Sequence, residues 1–442
     1  MALGASGVGA TALIGASSVR AKPTAPAASS SAGSRPTPAA RGGDTPAVML
    51  GIDVLEASGF SALKGKRIGL LTHAAGVNRR GISTVEILHR ARGVKLVALY
   101  AVEHGLYGDH VAEKAFGDTV DPRTGLPVYS LYSGRGKKFS PTPQQLRNID
   151  ALVIDLQDIG TRSYTFSGAM KTAMEACFNH GKEVIVLDRP NPMGGLKVDG
   201  PPLDAELMSD VGRFRVPYVH GLTIGELARM AVGLPPPAGL TSTKRKSGKL
   251  TVIPMRGWRR SMQWSDTGLT FVPTSQKIED IPAVLGYAMV GLGCEYSGFV
   301  HGFTQGHPFR VIYFKGESVA RLEKDLRALR LPGLKYRRMT GQDHRGETIT
   351  GLYVEVADWD AWNPTELSFH MMRLACRYNP PNPFAQMTSA QRRSFNVHVG
   401  SAEWLTALRR DGQKVNVEAF LQKWRNQAAA YQKQSRQFWL YR

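Results

Sequence analysis

Between residues 48 and 234 short apolar runs recur along the chain, each closed by polar residues or glycine and followed by a segment of helical periodicity. KRIGLLTHAAGV (66–77) reads as a strand ending at His73, Leu96 to Val102 as a second, Ala151 to Asp155 as a third and Glu183 to Leu187 as a fourth. Continuous apolar runs of this length mark strands buried on both faces of a parallel sheet. The segments between them carry helix signals. Ser83-x-x-Glu86 and Thr223-x-x-Glu226 are capping boxes, and Met170, Ala173, Met174 and Cys177 share one face of a helix over roughly 167–180. This alternation predicts right-handed βαβ units, hence an α/β fold with a Rossmann-like, doubly wound parallel sheet over 48–235.

The rhythm stops at Pro235-Pro236-Pro237 and Lys244-Arg245-Lys246, which mark a boundary near 235–248. Beyond it LTVIPMRGW (250–258) and FRVIYF (309–314) read as strands, and 366–377 and 415–435 as helices. A smaller mixed α+β domain over 249–442, completing the cleft, is the expectation. The terminal QFWLYR is expected to dock on the fold, because three aromatics exposed on a tail are unfavourable.

Polar residues fall at the C-terminal ends of the strands: His73, then Glu103 and His104, then Asp155, Gln157 and Asp158, then Asp188 and Arg189. A Gly-rich turn after the second strand adds Asp109 and His110, and His220-Gly221 leads into the last helix. In an open α/β sheet the crevice beyond those ends is where ligands bind, so these residues are expected to converge, with Glu103 at the centre.

Charge and composition narrow the partners without choosing one. Fifty-six Lys and Arg against 36 Asp and Glu give a net charge of +20. That balance suits nucleic acid, an anionic membrane face or an acidic wall polymer, and equally a basic proteome. No groove-reading or base-stacking motif accompanies the dispersed cations, which argues against nucleic acid. No run approaches the ~18 apolar residues of a membrane span. Residues 1–47, rich in Ala, Ser, Gly, Pro and Thr, read as an export signal and flexible linker, with an A-x-A-like site at Val19-Arg20-Ala21 but no charged n-region. The three cysteines, Cys177, Cys294 and Cys376, have no metal or redox spacing and read as buried small hydrophobes.

Chemistry-bearing motifs are mostly absent. There is no H-E-x-x-H, no G-x-G-x-x-G after the first strand and no G-x-S-x-G. His73, Glu103, His104, Asp109 and His110 are ligand types without ligand spacing, so no metal or other cofactor is expected, and a metal-dependent esterase or amidase stands as a rival reading. A non-catalytic binding protein is the other rival.

The series LLTHAAGV, VEHGLYGD, TGLPVYSLY, DLQDIGTRSYTF, VLDRPNP and HGLTIGELA resembles the DUF1343 family, whose characterised members are exo-β-N-acetylmuramidases of the NamZ type. The resemblance implies an exported enzyme that removes N-acetylmuramic acid from non-reducing ends of peptidoglycan fragments, a peptidoglycan-derived amino sugar being its substrate. It thins after the boundary. Where the family carries segments resembling W-x-P-P-S-P-N-x-P and E-G-T-N-x-S-x-G-R-G-T, residues 269–309 keep Pro308-Phe309 but lose the SPN and GRG elements, with Glu295 near the family's glutamate.

Glycoside hydrolysis needs a carboxylic acid to protonate the leaving oxygen and a second group to supply or activate a nucleophile. Glu103 is expected as the acid, its proton retained by burial. His104, adjacent in the chain, points to the opposite face. For the second carboxylate the order is Asp158, Asp109, Asp188. Arg162 and Tyr164 are candidates for a lactyl carboxylate, Arg162 alternatively for an ion pair with Asp158. His220 is a candidate for a sugar hydroxyl. His73, His104, Gln157, Asp188, Arg189 and Asn191 complete the expected substrate-binding set, against the alternatives that Asp155 and Asp188 tie down loops and that DRPNP is a rigid turn.

Overall fold

The computed structural model describes residues 48–442 apart from 113, 133–139 and 305; the expected export signal and linker over 1–47 lie outside the described residues. Seven strands form the larger sheet: β1 (Arg67–Thr72), β2 (Lys95–Ala101), β3 (Thr119–Val120), β4 (Pro127–Ser130), β5 (Ala151–Asp155), β6 (Glu183–Leu187) and β7 (Leu250–Ile253). Their order is β3-β4-β2-β1-β5-β6-β7, all parallel except the antiparallel edge strand β3. This is the doubly wound arrangement, and the chain reverses its direction of growth between β1 and β5. The strand read from 250–258 supplies β7, so the sheet takes its last strand from beyond the expected boundary.

Alternate residues of each strand enter different cores, as period-two geometry requires. Leu71, Tyr100, Leu152, Ile154, Val184 and Val186 pack with Met170, Ala173, Met174 and Cys177 of the helix Thr165–Asn179. On the other face Ile68, Leu70, Leu99, Val153, Ile185 and Leu187 pack with Val85, Ile87 and Leu88 of the helix Thr84–Arg90. Thr223 and Glu226 form the capping box expected of them, whereas Ser83 caps through its own side chain alone, accepting from Val85 N.

The C-terminal lobe holds an antiparallel sheet of β8 (Phe299–His301), β9 (Val311–Phe314), β10 (Leu334–Gln342) and β11 (Thr348–Val356), in the order β10-β11-β9-β8. Helices Ile281–Cys294 and Glu366–Tyr378 pack against each other, and Ser368 Oγ donates to Met289 O while accepting from Gly293 N. Leu352, Trp362 and Phe369 of this lobe share one continuous core with the first sheet face.

The terminal QFWLYR docks as its aromatics require. Tyr441 donates to Asp188 Oδ2 at the end of β6, Arg229 Nη1 donates to the carbonyls of Phe438 and Trp439, and Leu440 N donates to Glu226 Oε1. Glu226 is itself paired with buried Arg260, whose guanidinium lies 3.8 Å from the Trp439 ring centroid. Asp188 also accepts from Arg189 N, Gly225 N and Thr223 Oγ1. Four donors use the roughly four lone-pair sites of a carboxylate. The expectation of Asp188 as a substrate or second catalytic group is therefore corrected: it ties the last helix and the tail to the sheet.

Burial, opposed by the Tyr441 bond and reinforced by Glu226, pushes the Asp188 carboxyl up to about 7 from an ordinary value of 3.8. Folding therefore takes up a proton between those values, and the stabilisation this gives, complete below pH 4, is lost as pH rises through 7. Asp188→Asn removes the titration. Urea unfolding across pH 4–7 should show the variant lacking a decline that in the wild type approaches about 1.4 kcal/mol per pH unit; parallel profiles would contradict the assignment.

Candidate active site

The strand ends bordering the crevice are in register: Thr72 pairs with Ala101 on one side and with Asp155 on the other. The residues that follow each strand therefore emerge side by side, where the sheet order reverses. His73 closes the seam between β1 and β5, its Nε2 accepting from Gln157 N at 3.0 Å and its ring lying edge-on to Phe166 at 4.6 Å. Burial and the nearby Arg189 and His104 charges hold its pKa well below the usual histidine range, so it is neutral and fixed as an acceptor. Gln157 Nε2 donates to the carbonyls of Asp158 and Pro190.

Glu103 follows β2 by two residues. The chain then turns sharply, with His104 at φ 75° and Gly105 at φ 78°. A positive φ at a non-glycine residue is uncommon and strained, and here it turns the chain immediately after Glu103. Thr165 Oγ1, in the first turn of the helix Thr165–Asn179, donates to Glu103 Oε2 at 3.1 Å. Glu103 is half-buried rather than buried, so the seclusion from water that the general-acid reading assumed has to be completed by the substrate. His104 is buried, with Nδ1 3.3 Å from the carbonyl of His110.

Asp158 lies across β1 from Glu103. Its Oδ2 accepts from Gly160 N at 2.7 Å and lies 3.3 Å from His220 Nε2, both side chains being buried. Leu222 N donates to His220 Nδ1, which leaves the proton on Nε2, facing Asp158. Asp158 Oδ1 is buried with no hydrogen-bond partner among the described residues, an acceptor held in reserve. Gly160 makes this turn possible: it has φ +84°, and a Cβ there would lie 2.3 Å from Asn191 Oδ1.

The wall opposite comes from the C-terminal half of the chain. Ser163 Oγ is 2.9 Å from Tyr218 Oη and 3.1 Å from Tyr287 Oη, and Tyr164 Oη donates to Thr274 Oγ1 at 2.8 Å. Burial, opposed by the Ser163 hydrogen bond and reinforced by the charges of Glu295, Glu103 and Asp158, pushes the Tyr287 phenol up to about 12. Those three carboxylates are thus the acidic surroundings of one phenolic hydroxyl. Sequence reasoning missed Ser163, Thr165, Tyr218, Thr274 and Tyr287. For Tyr287 a signal existed: it is the one polar-tipped residue on the helix IPAVLGYAMVGLGC, and a buried Tyr needs a partner for its hydroxyl.

Several expected binders are placed otherwise. Arg162 makes no ion pair with Asp158; its Nη2 donates to the carbonyls of His398 and Val399, its Nε and Nη1 have no partner among the described residues, and burial lowers it to about 10. Arg189 is paired in the interior with Asp155, through Nε at 2.5 Å and Nη2 at 2.8 Å. Asn191 holds its own turn, donating to Leu222 O and accepting from Met193 N. Asp109 has a side chain 66% exposed, 3.9 Å from His110 on the outer loop. His220 accepts from Leu222 N at Nδ1 and faces Asp158 with Nε2, which makes no hydrogen bond among the described residues. Among the described residues no group of three His, Cys, Asp or Glu side chains is disposed to hold a metal ion.

Residues 68–282 match the family model described as exo-beta-N-acetylmuramidase NamZ, N-terminal, and residues 285–441 match its C-terminal counterpart, despite the altered segments of 269–309. The peptidoglycan beta-N-acetylmuramidase NamZ of Bacillus subtilis (strain 168) is 38% identical over 332 residues, which cover 74% of this chain and 77% of that protein. A crystal structure of a DUF1343 family protein from Bacteroides fragilis NCTC 9343 is similar with a TM-score of 0.80 and 35% identity, covering 89% of this chain and 99% of that one. A second DUF1343 structure from the same organism, 23% identical with a TM-score of 0.67 and the same coverage, shares the fold.

His220 touches the site through Asp158, which makes it a positioning residue. His220→Ala is expected to lower kcat by about tenfold to 10²-fold with KM changed less than about threefold, since small displacements of a reacting group cost that much. A change confined to thermal stability, at full kcat, would assign the pair to the scaffold instead.

Proposed function

This chain belongs to the NamZ family of exo-β-N-acetylmuramidases, and we propose that it is a glycoside hydrolase releasing N-acetylmuramic acid from non-reducing ends of peptidoglycan fragments, with Glu103 as general acid and Asp158 as the second carboxylate. The observation that carries the assignment of roles is that Glu103 and Asp158 flank β1 at the carboxyl end of the sheet, the charges of both reaching the buried Tyr287 phenol. Their parent strands are two places apart, about 9–10 Å, which lets the two side chains approach a glycosidic bond from different sides.

In this reading Glu103 passes its proton to the glycosidic oxygen as the bond from C1 to that oxygen breaks. Thr165 holds the carboxyl oriented during the transfer. Asp158, with one oxygen fixed by Gly160 N and the other unpartnered, meets the positive charge developing at C1. Water adds the hydroxyl to C1 and restores the proton to the enzyme, so atoms and charge balance over the cycle.

Release of N-acetylmuramic acid from a β-linked MurNAc–GlcNAc disaccharide tests this. Glu103→Gln keeps the shape but cannot donate, and a loss of ~10²-fold or more in kcat is expected. Turnover surviving in the variant would remove Glu103 from the role; absence of release by the folded wild type would overturn the activity.

Residues 1–47 are proposed to direct export, which places the enzyme in the periplasm or outside the cell, in contact with wall polymer and suited to wall recycling. The support is compositional: small residues, Pro and Thr, followed by an A-x-A-like site. Mass spectrometry of the mature N-terminus is expected to find it processed; an intact Met1 or Ala2 in the cytoplasmic fraction would reject export.

A further inference from the structure

Gln157, next to Asp158 in the chain, lines a cavity of about 250 Å³ that the reaction as described does not use. It opens at the same carboxyl end of the sheet, between the loop after β1 and the segment 264–272. Two of its lining residues tie it to the site. Gln157 precedes Asp158, and Val272 is two residues, at most about 7 Å of chain, from the Thr274 that holds Tyr164.

Its lining divides by chemistry. Val77, Leu269 and Val272 form an apolar side, and Arg79 and Arg189 bring cations. Arg189 is 4% exposed, and Asp155 and Val77 O take its Nε and Nη2. Its Nη1 has no partner among the described residues, and the residue lines the cavity. Arg79 is exposed, and its guanidinium makes no hydrogen bond or ion pair among the described residues; its backbone N–H donates to Asp53, whose carboxylate also feels the Arg79 charge. Glu56 already holds the neighbouring Arg80.

A site with one exposed, unpaired guanidinium and the remaining donor of a second, Asp155-paired one over an apolar floor recognises a small anion that carries a methyl or similar apolar face. At about 250 Å³ the cavity falls below the roughly 300–1,000 Å³ that encloses a whole drug-sized ligand, so it takes a side arm and not the sugar rings. We propose that this cavity receives the lactyl ether of the muramyl ring, its carboxylate on Arg189 Nη1 and Arg79 and its methyl against Val77, Leu269 and Val272. The role resting on Arg162 in the sequence thereby moves to Arg79 and Arg189. The proposal deepens the function proposed above and depends on it for the ligand's identity.

The test separates the two. Calorimetry on Glu103→Gln protein compares N-acetylmuramic acid with N-acetylglucosamine, which lacks only the lactyl ether. Arg79→Ala and Arg79→Lys are made in the same background. The proposal expects the acid to bind at least about tenfold more tightly than N-acetylglucosamine, the advantage to fall about tenfold in Arg79→Ala and to be largely restored in Arg79→Lys. In turnover by the Arg79→Ala single variant, KM for the β-linked disaccharide rises about tenfold, and the kcat/KM preference for the free acid over its lactyl methyl ester falls by a similar factor. Equal binding of the two sugars, or a preference untouched by Arg79→Ala, overturns the lactyl site while wild-type release of N-acetylmuramic acid still stands. Failure of wild type to release it overturns the functional reading first.

Discussion

The buried ion pair of Asp155 and Arg189 is the constraint on which the crevice depends. Asp155 ends β5 with its side chain fully removed from solvent, which is tolerable only if the charge is paired and its lone pairs are used. Arg189 answers from the end of β6 with two donors, Thr84 adds its hydroxyl from the start of the helix behind β1, and the same guanidinium reaches Val77 O in the loop after β1. One charge pair thus pins three crossover connections to each other at the point where the sheet reverses direction. Removing either partner leaves an uncompensated buried charge, at about 3–5 kcal/mol.

That pairing also sorts the polar residues of the crevice. All of them emerge from the same ends of the same sheet, so position alone cannot separate scaffold from site. Lone-pair and donor accounting does. Asp155 and Asp188 have their oxygens filled by protein donors, and the Asn191 amide is spent on its own turn. Asp158 keeps one buried oxygen unpartnered, Arg162 keeps Nε and Nη1, and Arg189 keeps one donor. In a folded protein unmet hydrogen-bonding capacity is costly, so where it persists at a crevice it points to a ligand.

The sheet was legible because four buried strands announce themselves as apolar runs with polar ends: β5 and β6 span the residues read from the pattern, and the helices Thr165–Asn179 and Glu366–Tyr378 differ by a residue or two. The hairpin of β10 and β11 was not, since LKYRRMTGQ exposes most of its residues and carries no apolar run to mark it. Within the site, Glu103 and Asp158 were visible as carboxylates at strand ends. The allocation of Asp188 and Arg162 was not, because it depends on partners such as Tyr441 and Val399 that lie more than 200 residues away and leave no periodic trace.

This division of legibility has a physical origin in how the site is assembled. The sheet side is built from short connections that follow strands, so local sequence encodes it densely. The opposing wall is Tyr287 on a helix, Thr274 in a loop and Glu295 at that helix's C-terminus, brought over by packing of the C-terminal lobe on the same core as the sheet. Packing tolerates apolar exchange as long as volume is kept. The loops of 269–309 can therefore depart from the family's motifs while the hydroxyls of Tyr287 and Thr274 stay anchored by Ser163 and Tyr164, two adjacent residues of the DLQDIGTRSYTF segment. The wall is held from the sheet side, and its position survives changes in the loops that carry it.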